Sequence, residues 1–166
     1  MNQLSLPVEV DPPARPQKRS GELIQHVAEQ LAIQIGESGL PGVIEDLIAV
    51  LEGSTGFDGY ELARELEDNF GWGIDAALVD VLDSASALHH FAHEQKVKEW
   101  VQRFNVRISF AVGQRVVTNR KNERGVIVRL FEETAECLVR LDDERDPSYA
   151  GTLLPVECLQ SEVNDG

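Results

Sequence analysis

Trp100-Val-Gln-Arg-Phe-Asn-Val-Arg-Ile-Ser-Phe-Ala-Val112 is the stretch in which the period of the chain changes. Before Asn105 apolar residues recur every third or fourth position, the spacing of one helix face. After it Val106, Ile108, Phe110 and Val112 stand at every second position, the spacing of a strand. The helical pattern runs back to Ser20 and the alternating one forward to about residue 160. Helices therefore come first and strands second, without interleaving, and the expected class is α+β.

Upstream, Leu23, Val27, Leu31 and Ile35 mark a first helix, widened by Ile24 and Ala28 and stopped by Gly36 and Gly39. Pro41 suits the first turn of a second, whose face is Val43, Ile44, Leu47, Ile48 and Leu51 before Gly53. Asp58 with Glu61 three residues on forms a capping box for a third, carrying Leu62, Ala63, Leu66 and Phe70 and ended by Gly71-Trp72-Gly73. A fourth starts near Asp75 with Ala77, Leu78, Val81, Leu82, Ala85, Leu88 and Ala92, and runs on through Val97, Trp100 and Val101 to Phe104. At 100° per residue its apolar centre swings by roughly 130° between Leu88 and Trp100. Either the helix breaks near residues 83–86 or its halves pack against different things. The second is the expectation, with the later half reaching toward the strands.

Downstream, Val116, Val126, Val128, Cys137, Val139, Leu141 and Leu153 continue the alternation, punctuated by Gly113, Gly125 and Gly151, with Glu132-Glu133-Thr134 as a short hairpin connection. Four or five short strands in about 55 residues predict a small barrel. The runs Val112-Gly-Gln-Arg-Val116, Gly125-Val-Ile-Val-Arg-Leu130, Cys137-Leu-Val-Arg-Leu-Asp142 and Leu153-Leu-Pro-Val-Glu-Cys-Leu159 together resemble an SH3-like barrel of the KOW or Tudor type. The resemblance covers about a third of the chain. It implies the fold and leaves the ligand open, since such barrels bind RNA, DNA, ribosomal proteins, polymerase or peptide tails. Phe110, Phe131 and Tyr149 are the only aromatics after Phe104, so no methyl-lysine cage is visible. The expected organisation is a tail over residues 1–19, an acidic helical bundle over 20–104, an SH3-like barrel over 105–160 and a second tail over 161–166. The first tail, with Pro7, Pro12, Pro13 and Pro16, has no periodicity and too little apolar surface to offset its ordering entropy. Its Pro13-Ala-Arg-Pro16 matches the PxxP pattern of polyproline ligands, a match such tails commonly carry.

Charge is sorted along the chain. Residues 21–95 hold fifteen acidic residues against one basic residue, Arg64; residues 96–129 hold nine basic residues against Glu99 and Glu123; residues 130–166 hold ten acidic against two basic, and the whole chain is −14. Such a distribution bears on partners rather than on fold. Carboxylates in rows on a helix present charge as a duplex presents phosphates, and so fit a basic groove. Glu61, Glu65 and Asp68, at spacings of four and three, are the expected partner-binding residues; a charged, solvated helix face is the ordinary account of the same pattern. The opposite expectation rests on Asn119-Arg-Lys-Asn-Glu-Arg124, where Arg120, Lys121 and Arg124 can meet nucleic-acid phosphates, although no stacking aromatic lies in that loop and the net charge repels a polyanion. Alternatively, that basic stretch neutralises acids of its own chain.

His89 and His93 lie one helical turn apart, the spacing at which two imidazoles share a metal, and His90 with Glu94 repeats it. Two ligands do not make a site, and no HExxH or distant partner pattern accompanies them, so packing is the ordinary role of these rings. Asp142-Asp-Glu-Arg-Asp146 lacks the alternating ligands and central glycine of a calcium loop. No GxSxG, Walker or GxGxxG motif is present, and no enzyme activity or cofactor is expected. Cys137 and Cys158 show no metal spacing and read as reduced thiols. No apolar run approaches the roughly 18 residues of a membrane span, and no signal pattern opens the chain, so the expected location is the cytoplasm. The expectation for function is a non-catalytic adaptor or inhibitor of bacterial or phage type. Its partner is a protein with a basic surface, in one form a nucleic-acid-handling complex such as phage-defence machinery, with the carboxylates acting as a nucleic-acid mimic.

Overall fold

Ser20, Asp58 and Asp75 open three helices as side-chain caps: Ser20 Oγ accepts from Leu23 N at 3.3 Å, Asp58 Oδ1 from Glu61 N at 3.0 Å and Asp75 Oδ1 from Leu78 N at 2.7 Å. The structure is a computed structural model that describes residues 12–37, 39–146 and 148–162. Its helices are α1 (Gly21–Ile35), α2 (Val43–Gly53), α3 (Gly59–Phe70), α4 (Ala76–Asp83) and α5 (Ala85–Phe104); its strands are β1 (Arg115–Thr118), β2 (Arg124–Phe131), β3 (Glu136–Leu141), β4 (Thr152–Pro155) and β5 (Leu159–Ser161). The chain is α+β, helices first and a five-stranded antiparallel sheet last, as its periodicity dictates. Among the described residues no helix is long and apolar enough to cross a membrane.

Two compact units form, one of residues 16–96 and one of described residues 12–15 with 97–162. In the helical unit Val27 and Leu31 of α1, Leu47 and Leu51 of α2, Leu62 and Leu66 of α3 and Leu82 of α4 are all fully buried in one core. α1 and α3 end on Gly36 and Gly71, whose φ of 83° and 73° lets the cap N–H groups reach back to the last carbonyls. Pro41 stands just ahead of α2 rather than in its first turn, because Gly42 takes the N-cap position at φ 86°.

Both alternatives offered for residues 75–104 hold. The helix from Asp75 to Phe104 is not continuous: Ser84 separates α4 from α5, its hydroxyl donating to Val81 O at 2.6 Å. Asp83 is held there by Gly59, whose N–H donates to Asp83 Oδ1 at 2.8 Å; a Cβ on Gly59 would lie 2.3 Å from that oxygen. Past the break, α5 passes from one core to another. Its later residues Val97, Trp100 and Val101 pack with Ala135 in the second unit, with Val106 and Val156 beside them.

In that unit the strand order is β4-β3-β2-β1-β5, with β5 returning to β1 after a 3-10 turn at Val156–Cys158. This is the connectivity of an SH3-like barrel. Val116, Ile127, Cys137, Val139 and Leu159 fill its core. Gly125 is required in β2, since a Cβ there would lie 2.6 Å from the Arg140 carbonyl across the β2–β3 ladder. β2 is bulged between Ile127 and Arg129. The alternation at residues 106–112 does not make a strand: Ile108 and Phe110 pack against the core from an irregular segment, and pairing begins at Gly113, whose N–H donates to Ile127 O at 2.8 Å. Both cysteines are free, Cys137 buried and Cys158 partly so.

Candidate functional site

α3 is built with one apolar and one acidic face. Leu62, Ala63 and Leu66 are fully buried, whereas Glu61, Glu65 and Asp68 fall within a narrow stripe on the other side and are all exposed. The Asp58 cap and the close approach of Gly59 to Asp83 fix where the helix starts, and with it the direction of this stripe. Of the three carboxylates only Asp68 has a cation within reach, Arg64 at 3.9 Å with both side chains mostly exposed; among the described residues Glu61 and Glu65 have none. The Glu65 carboxylate lies beside Gly53, 3.8 Å from where its Cβ would be, so it adjoins the C-terminal end of α2 and exposed Glu52.

Glu61, in the first turn of α3, is favoured by the helix dipole, whereas Asp68 stands at the opposite end. The carbonyl end of a helix carries partial negative charge and favours Lys, Arg or His. No basic residue stands in the last turn of α1, α2, α3 or α4, and α2, α3 and α4 end instead in Glu52, in Glu67 with Asp68, and in Asp80 with Asp83. Tyr60, 59% exposed at the start of α3, stands next to this row. Periodicity does not single it out, because it lies outside the apolar stripe of Leu62, Ala63 and Leu66.

The barrel's cations are differently placed. Arg124 Nε lies 3.4 Å from Glu162 Oε1, and Lys121 Nζ lies 3.6 Å from Glu123 Oε1, while Arg120 is exposed. The loop that carries them is pinned, Thr118 N–H donating to Glu123 O and Asn119 Nδ2 to Glu157 O. Arg115 sits between Asp142, at 2.6 Å for each of two bonds, and Glu162 at 2.7 Å. Those bonds raise the guanidinium pKa above its ordinary value, and the bond from Arg115 lowers that of Asp142.

The histidines do not converge on a metal position. His93 Nε2 meets Pro16 O at 3.1 Å, and His89 stacks at a tilt on Phe57 with ring centroids 5.0 Å apart, its Nε2 buried without a partner. Burial holds the His89 imidazole below its ordinary pKa, against the opposing bond to the Lys18 backbone. Among the described residues no three His, Cys, Asp or Glu side chains are grouped to hold a metal ion. A cavity of about 670 Å³ in the helical unit has Ile35, Leu40, Val43 and Leu78 in its walls. Two of its carboxylates are already engaged, Asp46 by Trp72 Nε1 at 2.9 Å and Asp75 by the α4 cap. Comparison with protein-family models, with curated proteins and with solved structures returned no match.

Proposed function

We propose that this chain is a non-catalytic binding protein, an adaptor or inhibitor, whose acidic helical unit docks on a basic surface of a partner protein. Glu61, Glu65 and Asp68 then stand where phosphates of a nucleic acid would. The observation that carries this reading is the exposed α3 row itself, with Glu61 and Glu65 lacking a cation among the described residues and Asp68, like the acids that end α2 and α4, standing at the unfavourable end of a helix dipole. Local rules are broken at a cost chiefly where recognition uses the offending groups. Tyr60 supplies an amphipathic anchor beside the charges. The other reading, nucleic-acid binding through Arg120, Lys121 and Arg124, is weakened by the carboxylates already lying beside Lys121 and Arg124.

The test replaces Glu61, Glu65 and Asp68 together by Lys and compares the variant with one carrying the same charge change at Glu132, Glu133 and Asp143. Captured partners are compared across a salt series. A partner held by the wild type and the control but lost by the α3 variant, at unchanged helicity, is the expected result. Equal capture by all three excludes docking through α3. Titration with single- and double-stranded DNA and RNA at low salt decides the second reading, because phosphate binding must weaken steeply as salt rises.

A further inference from the structure

Arg15, which comes from the irregular segment ahead of α1, is engaged by four hydrogen bonds in the barrel unit. Its guanidinium donates from Nε to Glu157 Oε1 at 2.5 Å and from one terminal nitrogen to Glu157 Oε2 at 3.2 Å; the terminal nitrogens also reach Thr134 O and Ala135 O, each at 2.8 Å. The guanidinium carbon stands 5.2 Å from the centroid of the Trp100 ring. Two residues earlier, the Pro13 carbonyl accepts from Trp100 Nε1 at 2.9 Å.

The receptor for this segment is built by other parts of the unit. Trp100 is nearly buried on the later half of α5. Thr134 and Ala135 lie in the β2–β3 turn, held by the positive φ of 49° at Ala135 and by Val156 N–H donating to Ala135 O. Glu157 comes from the 3-10 turn before β5. Together they offer a carboxylate, two carbonyls and an aromatic face to one guanidinium, and an indole donor to a carbonyl two residues before it. A cavity of about 370 Å³ runs alongside, lined by Pro12, Pro13, Phe110, Val156 and Leu159 among others, so the segment does not fill the space it occupies.

The segment has the character of a removable ligand. Pro12, Pro13 and Ala14 are exposed, and only the Arg15 side chain, 12% exposed, is taken in. Pro12, Pro13 and Pro16 fix φ and bias the residues before them to extended backbone, so little conformational entropy is lost on binding. From this we infer that the groove between α5, the β2–β3 turn and the 3-10 turn is a recognition site for an extended Pro-x-Arg segment of a partner protein, and that residues 12–15 occupy it in its absence as a tethered competitor. The inference is independent of docking through α3.

The test uses the full chain and a labelled peptide with the sequence of residues 11–18. In the wild type the tethered segment competes at an effective concentration on the order of 1 mM, so peptide binding is suppressed, by roughly a hundredfold for a peptide of about 10 μM intrinsic affinity. Arg15→Glu sets a carboxylate against Glu157 and expels the segment. The expected result is peptide binding at least tenfold tighter to this variant than to the wild type. It should be lost again when Glu157→Gln is added or when the peptide's arginine is replaced by alanine. In a Trp72→Phe background the emission of Trp100 reports release of the segment. Should Arg15→Glu fail to fold, Arg15→Ala opens the same acceptors to water. A folded, released variant that does not bind the peptide overturns the inference, and so does an unchanged Trp100 emission. A wild-type chain that dimerises by exchanging this segment, with no peptide binding by either protein, overturns it as well.

Discussion

Single atoms decide two positions. A methyl group on Gly125 has no room beside the Arg140 carbonyl, so Gly125→Ala should lower the stability of the barrel unit by about 1–3 kcal/mol, read as a fall in the urea midpoint. Glycine at 125 is visible in the sequence as punctuation; the carbonyl that demands it, fifteen residues away, is not. His89 gives a pH signature. Its folded-state pKa is depressed, so the unfolded chain takes up the proton first as pH falls below the ordinary 6.5. Stability contributed by neutral His89 is complete above that value and is lost as pH drops through the lower folded-state value, because protonation puts a charged N–H at Nε2 where no acceptor waits. Between pH 7.5 and 5.5 the wild type should lose more stability than His89→Gln, by urea titration at both values. A pair of histidines one turn apart reads first as packing and only second as a metal site; what the rings meet, Pro16, Lys18 and Phe57, is not visible in their spacing.

Among the elements, α3 was fully legible, since cap, stripe and stop all lie within the helix and its immediate neighbours. The division between α4 and α5 was legible only as one of two alternatives, because it depends on Ser84 closing on Val81 and on Asp83 meeting Gly59 twenty-four residues earlier in the chain. Residues 106–112 misled for a related reason. Alternation records which side chains are buried, and an irregular segment lying on a core produces it without a ladder. The acidic helix ends give a direct prediction: Glu67→Lys, in the last turn of α3, should stabilise the helical unit by about 0.3–1 kcal/mol at low salt, measured by thermal or urea unfolding. Loss of stability on that substitution would mean that Glu67 makes a favourable contact that its position does not suggest.

For the whole molecule, the net charge of −14 is a repulsive load that salt relieves. The midpoint of unfolding should rise between about 10 mM and about 200 mM sodium chloride, and rise less in the variant with Glu61, Glu65 and Asp68 changed to Lys. Composition alone revealed the imbalance and pointed to α3. It did not reveal that Arg115 and Arg124 are partnered by Glu162, the residue after β5, or that Arg15 belongs to the barrel unit, because those pairs join residues 38 to 142 positions apart. That last separation has a consequence for biogenesis. At about 5–20 residues per second, a ribosome adds Arg15 on the order of ten seconds before Glu157 exists, so the nascent arm waits without its carboxylate partner through the synthesis of every helix and of the first four strands.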